Sequence, residues 1–148
     1  MSMHTTTPQV EPRRYQAHRV SDAAKEACDA ALHRLDLYIP GVISTGVVGP
    51  DGFEIAALSI RPIEISKLSA LSSTLVAVAQ AFMLESGMAS CQDLIMGSEN
   101  GSVLLMSVPV GHATYALFVI TGNGATLEQV LSSARICATE VGEALRLQ

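Results

Sequence analysis

Positive charge is scarce in this sequence. Lys and Arg number 9 against 14 Asp and Glu, for a net charge of −5. Phosphate backbones are held by clustered cations, so nucleic acid is excluded as the main partner. An anionic membrane surface is excluded by the same deficit. The only lysines are Lys25 and Lys67, and neither follows a glycine. A phosphate loop ends in Gly-Lys-Ser/Thr because the lysine neutralises phosphate charge, so the chain is not a GTPase or ATPase of that class. Gly46-Val47-Val48-Gly49 reads as strand and turn glycine.

Cysteine is also sparse. The three, Cys28, Cys91 and Cys137, are odd in number and lack paired spacing, which fits a reducing compartment. Cys28 and Cys137 lie on apolar helical stripes and read as small core residues. Cys91 opens a strand after a loop. The histidines, His4, His18, His33 and His112, stand at no ligand spacing from one another or from a cysteine, so no metal is expected. No Gly-x-Ser-x-Gly elbow occurs. Glu54 and Asp51 are close in sequence, but no cleft can be assigned to them. The expectation is a chain with no catalytic residue, no cofactor and no metal. Met1 to Tyr15 has no apolar core of a signal peptide. Leu68 to Leu84 is broken by Ser69, Ser72, Ser73, Thr74 and Gln80, so no bilayer span is expected. The location read from these absences is cytoplasmic.

What is present is apolar. Hydrophobic residues make up 49% of 148, enough for one domain that needs no disulfide. Residues 1–18 show no apolar periodicity and read as a disordered polar tail; residues 19–148 read as the domain. Arg13, Arg14 and Arg19 fit solvated charge better than a binding site.

Ser21 is a helix cap, and Ala24, Cys28, Ala31, Leu32, Leu35 and Ile39 recur at helical spacing until Pro40-Gly41. A hairpin follows, turned by Gly49-Pro50-Asp51-Gly52 between Val42–Val48 and Phe53–Leu58. Ser66 to Ser86 is a second helix whose seam of Leu68, Leu71, Leu75, Val78 and Phe82 is expected to face a sheet. Small apolar residues cover most of its other faces, so something besides the sheet is expected to cover them. Three strands follow, in Gln92–Gly97, Val103–Val108 and Thr114–Thr121. Thr126 and Gln129 then form the capping box of a last helix. The order α-β-β-α-β-β-β-α predicts an α+β domain, a five-stranded antiparallel sheet between helices.

Several stretches resemble the roadblock/dynein light-chain family and its bacterial MglB-type branch. They are Pro40-Gly41-Val42, Val47-Val48-Gly49-Pro50-Asp51-Gly52-Phe53, Ile55-Ala56-Ala57, Gly101-Ser102-Val103-Leu104-Leu105-Met106 and Ala134-Arg135. The resemblance spans residues 21–146. It implies a roadblock/profilin-like fold, with one long helix on one sheet face and the terminal helices on the other. It also implies a homodimer joined through the third strand with the second helices side by side. Its members bind small Ras-like GTPases as activators or scaffolds.

On that basis the expected dimer interface is Asp93, Leu94, Ile95 and Met96 on the edge strand with Val76, Ala79 and Met83 on the helix. The stretch Ile65 to Leu127 supports it, because its only charges are Lys67, Glu85, Asp93 and Glu99. The expected partner surface is Ala70, Ser73, Ala77 and Gln80, opposite the apolar seam. Arg61 is the one arginine near that surface and reads as solvated charge. The function expected is a non-enzymatic dimeric regulator or scaffold of a small Ras-like GTPase. The alternative is a PAS- or profilin-like small-molecule sensor, which needs an inner cavity with polar groups.

Overall fold

The computed structural model describes residues 20–148. The tail, with Arg13, Arg14 and Arg19, lies outside the described residues. Helix α1 spans Asp22–Tyr38 and opens where the Ser21 hydroxyl accepts the Ala24 amide. Strands β1, Val42–Val48, and β2, Glu54–Ser59, form the hairpin. Its turn closes with the Gly52 amide donating to the Gly49 carbonyl at 3.0 Å, and Gly52 takes φ 85, which glycine adopts without strain. Helix α2 is Ile65–Glu85, and strands β3, Asp93–Ser98, β4, Gly101–Val110, and β5, Ala113–Thr121, follow. Helix α3, Leu127–Arg146, starts at the Thr126–Gln129 capping box.

The five strands pair antiparallel in the order β2-β1-β5-β4-β3. The architecture is the α+β layering expected from the sequence. Alternation along the strands sorts the core into two layers. Val47, Leu104, Met106, Leu117 and Val119 meet Cys28, Leu32 and Leu35 of α1 and Ala134, Cys137 and Val141 of α3. On the other face, Val48, Leu105, Ala116 and Phe118 meet Leu68, Leu75 and Val76 of α2. The Phe118 ring fills the space over Gly46, where a Cβ would come within 2.5 Å of it.

The structure corrects the orientation of α2. Its fully buried residues are Ser69 and Ser72; of the expected seam, Leu68 and Leu75 pack on the sheet cluster and Leu71, Val78 and Phe82 do not. Leu71, Val78 and Phe82 are 58%, 60% and 72% exposed. The inward face runs through Ile65, Ser69, Ser72, Val76, Ala79 and Met83, which also step by three and four. At 100° per residue this face lies about a quarter turn from the seam of Leu71, Leu75, Val78 and Phe82. Small serines let the helix approach the sheet closely, and the bulky seam is left pointing sideways. The docking is a weak one. The Ser44 and Ser69 hydroxyls are buried and lack a hydrogen-bond partner among the described residues. Each such group costs about 1–3 kcal/mol.

Cys28 and Cys137 are 0% and 2% exposed between α1 and α3. Burial, reinforced by Asp29, pushes the Cys28 thiol up to about 11. Burial, reinforced by Glu140, pushes Cys137 up to about 12. The unfolded thiols ionise near 9.0, so above that pH the folded chain holds the extra protons. Stability is therefore full below about pH 9 and falls as pH rises toward the folded values. The buried Tyr115 phenol, also raised by burial, acts in the same direction. Denaturant unfolding at pH 8 and pH 10.5 is expected to show a loss of about 2 kcal/mol per buried thiol. The Cys28→Ala, Cys137→Ala double variant is expected to flatten most of that decline. An equally steep decline in the double variant would assign it to other groups.

Candidate partner-binding surface

Strand β3 is an edge of the sheet, with β4 on one side only. The Ser107 amide donates to the Gln92 carbonyl at 3.0 Å, and the register sets Asp93 opposite Met106 and Ile95 opposite Leu104. Antiparallel pairs alternate between bonded and non-bonded. Leu94 and Met96 therefore bond to β4, and Asp93, Ile95 and Gly97 turn their N–H and C=O groups to the free edge. Ile95 and Met96 are 42% and 37% exposed and carry no protective charge.

Beside this edge the sideways seam of α2 forms an apolar groove of about 360 Å³, lined by Leu75, Val78, Ala79, Phe82, Met83 and Leu94. Half-buried Asp93 borders one end through the strand, while its carboxylate lies on the α3 face of the sheet, 3.9 Å from Arg135. Edge strand and seam are thus contiguous. Of the residues expected at a dimer interface, Leu94, Ala79 and Met83 line the groove and Ile95 and Met96 lie on the open strand. Val76, half-buried, packs on the Phe118 cluster and borders the groove on the other flank of α2.

The other flank of α2 bears Ser73, Ala77 and Gln80. They line a groove of about 320 Å³ with the Gly49-Pro50 turn and His112. Ala70 and Ala77 are exposed. Ser73 is half-buried. Gln80 is corrected outright. Its amide nitrogen donates to the Cys91 carbonyl at 2.9 Å, and its oxygen accepts the Cys91 amide at 2.8 Å. Ser107 donates to the same carbonyl at 3.0 Å. Gln80 therefore pins the α2–β3 connection, supplying the partners that a neighbouring strand would. The residues most outward on α2 are Ala70, Thr74, Ala77, Val78 and Ala81. The sequence reading missed Leu71, Leu75, Val78 and Phe82 as a lateral surface. The discernible signal was the second periodic stripe through Ser69, Ser72, Val76, Ala79 and Met83.

By length and composition α2 is also long and apolar enough to cross a bilayer, with mean hydropathy 1.4 and 11% of that stretch buried. The interrupting serines therefore do not settle the question by hydropathy. In the fold, Ser69 and Ser72 face the sheet. Among the described residues, no group of three His, Cys, Asp or Glu side chains converges as a metal site would require.

The fold of this chain is similar to that of solved structures. A gliding protein MglB from Thermus thermophilus superposes with TM-score 0.78 at 15% identity, over 87% of this chain and 96% of that one. The chain has the MglB-type roadblock fold. An MglB solved in a tetrameric arrangement matches with TM-score 0.78 at 16% identity, over 86% of this chain and 94% of that one. A roadblock/LC7 domain from Streptomyces avermitilis matches with TM-score 0.60 at 15% identity, covering 80% and 92%. No protein-family model and no curated protein sequence matches the chain. In this roadblock fold, the open edge of β3 and the seam of α2 lie on the same side of the domain.

Proposed function

We propose that this chain is a cytoplasmic, non-enzymatic homodimer that binds a small Ras-like GTPase and regulates or scaffolds it. The observation that carries the reading is the continuous apolar surface made by the α2 seam and the β3 edge in an MglB-type fold. A second copy, related by a two-fold axis, would pair β3 with β3 and set the two seams against each other. That covers Leu71, Val78, Phe82 and Ile95 without a new element. It leaves the tops of both α2 helices, with Ala70, Thr74, Ala77 and Ala81, as one flat and weakly charged platform about 30 Å long. A flat apolar platform of that size marks a protein partner. A GTPase seated there touches both chains, so one GTPase binds per dimer.

Action by contact, not by a donated group, follows from the residues available. No arginine lies on α2, and Arg61 is an exposed loop residue before it. The self-association proposed here agrees with the tetrameric arrangement in which one MglB was solved.

The test is titration of the purified chain with the small Ras-like GTPases of its own genome, loaded with GDP or a GTP analogue. One GTPase per two chains is expected. Ala77→Glu puts a charge on the exposed face of α2 and touches no core side chain. It is expected to weaken binding at least a hundredfold while circular dichroism and dimer mass stay unchanged. Undiminished binding by Ala77→Glu places the partner elsewhere, and no binding of any such GTPase sinks the reading.

A further inference from the structure

The described cations are few, and two of them converge on one groove. It lies on the sheet face away from α2, between α3 and the β3–β4 edge, and encloses about 440 Å³. Arg34 is held by Glu140, Lys67 pairs with Glu64, and Arg61 stands in a loop. Arg135 and Arg146 both line the groove. Eleven residues separate them, close to three helical turns, so they stand on the same side of α3 with Cα atoms about 16 Å apart. The residues between them on that side, Ala138 and Gly142, are small, and they open a floor toward Met106 and Val108.

Each arginine is only partly engaged. Arg135 approaches Asp93 at 3.9 Å, a long contact, and its side chain is 62% exposed. Arg146 donates through Nη2 to the Pro109 carbonyl at 3.1 Å. A guanidinium carries five donors, so most remain for an incoming carboxylate. The Pro109 contact also defines the kind of occupant. β4 runs past the end of β3 here, but Pro109 has no N–H to offer and its carbonyl is taken. An added strand finds no ladder on this edge. The occupant is therefore held by its side chains. The Arg146 guanidinium folds back over Gly142 and that of Arg135 stands beside Asp93, so a chain with two acidic side chains and an apolar residue between them matches both cations and the floor.

We propose that the groove between α3 and the β3–β4 edge holds an acidic segment of another protein, with one carboxylate on Arg135 and a second on Arg146. The site is independent of the GTPase reading, because it lies on the opposite face of the sheet.

The probe is a fluorescein-labelled, end-blocked pentapeptide Glu-Ala-Leu-Ala-Glu, whose two glutamates fall on one face of an extended chain about 13 Å apart. Its binding to the full chain is read by fluorescence anisotropy in low salt. The same peptide with Gln for both Glu is expected to bind at least tenfold more weakly. Arg135→Gln and Arg146→Gln are each expected to weaken the Glu peptide at least fivefold. Gly142→Ala adds a methyl at ordinary contact distance, 3.5 Å from Val108 and 3.6 Å from the Arg146 guanidinium, and it is expected to weaken the peptide while raising thermal stability, which separates crowding of the groove from misfolding. Ala77→Glu is expected to bind the peptide normally. The proposal is overturned by equal binding of the Gln peptide, by indifference to both arginine variants, or by loss of binding in Ala77→Glu. It is overturned in favour of a small-anion site if acetate or phosphate at the peptide's concentration displaces it. It is overturned in favour of a second copy if the arginine variants lose self-association instead.

Discussion

The Ile95→Pro chain is expected to sediment as a monomer at concentrations where the parent is a dimer, with its circular dichroism unchanged. The geometry of β3 makes this a selective cut. Ile95 sits opposite Leu104 in a non-bonded pair, so its N–H points away from β4. Proline there removes a donor that serves only an added strand, and its ring occupies the space that strand would use. Phe82→Glu attacks the same interface from the helix side. Phe82 is 72% exposed on the seam, so a charge there costs the monomer little. Pressed against a twin helix, the same charge is buried without a partner. Each variant is expected to weaken self-association at least a hundredfold, about 2.7 kcal/mol. Sedimentation equilibrium across micromolar concentrations measures both. Two variants that remain as dimeric as the parent would show that the chain associates, if at all, through another face.

Gly101→Ala is expected to have the largest effect on stability of any single methyl added to this protein. Gly101 opens β4 with φ 153, and a Cβ there would lie 2.0 Å from the Thr121 carbonyl oxygen and 3.2 Å from the Gly122 Cα. Both obstacles are backbone, so no rotamer change relieves them. The β4–β5 register would have to shift at the point where Ser102 faces Thr121. A strained backbone and an overpacked contact together cost roughly 3–5 kcal/mol. For a domain of this length that lowers the melting temperature by about 10 °C or more. Gly97→Ala is the control: a Cβ at Gly97, on the open strand β3, meets nothing within 4 Å. It is expected to melt within about 2 °C of the parent, where surface changes usually fall. A Gly101→Ala chain as stable as the control would mean that β4 begins differently.

Much of the architecture was legible in the residues because it is local. Ser21 and Thr126 cap their helices as their side chains dictate. Gly49-Pro50-Asp51-Gly52 turns the first hairpin, and Glu99-Asn100 joins β3 to β4. Near-continuous apolar sequence in 103–108 and 114–121 marked the central strands, which are covered by helices on both faces. Within the charge-poor run from Ile65 to Leu127, Leu71, Val78, Phe82, Ile95 and Met96 are large apolar residues left exposed.

The rotation of α2 was decided only by the tertiary structure. Helical periodicity reveals an apolar stripe but not what the stripe faces, and a seam meant for a neighbour has the same spacing as one meant for a core. Here Ser69 and Ser72 took the fully buried inward position, while Leu71, Val78 and Phe82 were left at the flank. The role of Gln80 was equally illegible, since its partner is a backbone eleven residues away on another element. So was the pairing of Arg135 and Arg146 over one groove, because its far wall comes from β3 and β4. Sequence alone determined which segments are helix, strand and turn, since those follow from spacing and caps within a few residues. Which face each segment shows to its neighbours depends on shape complementarity between elements distant in the chain, and only the folded structure could decide it.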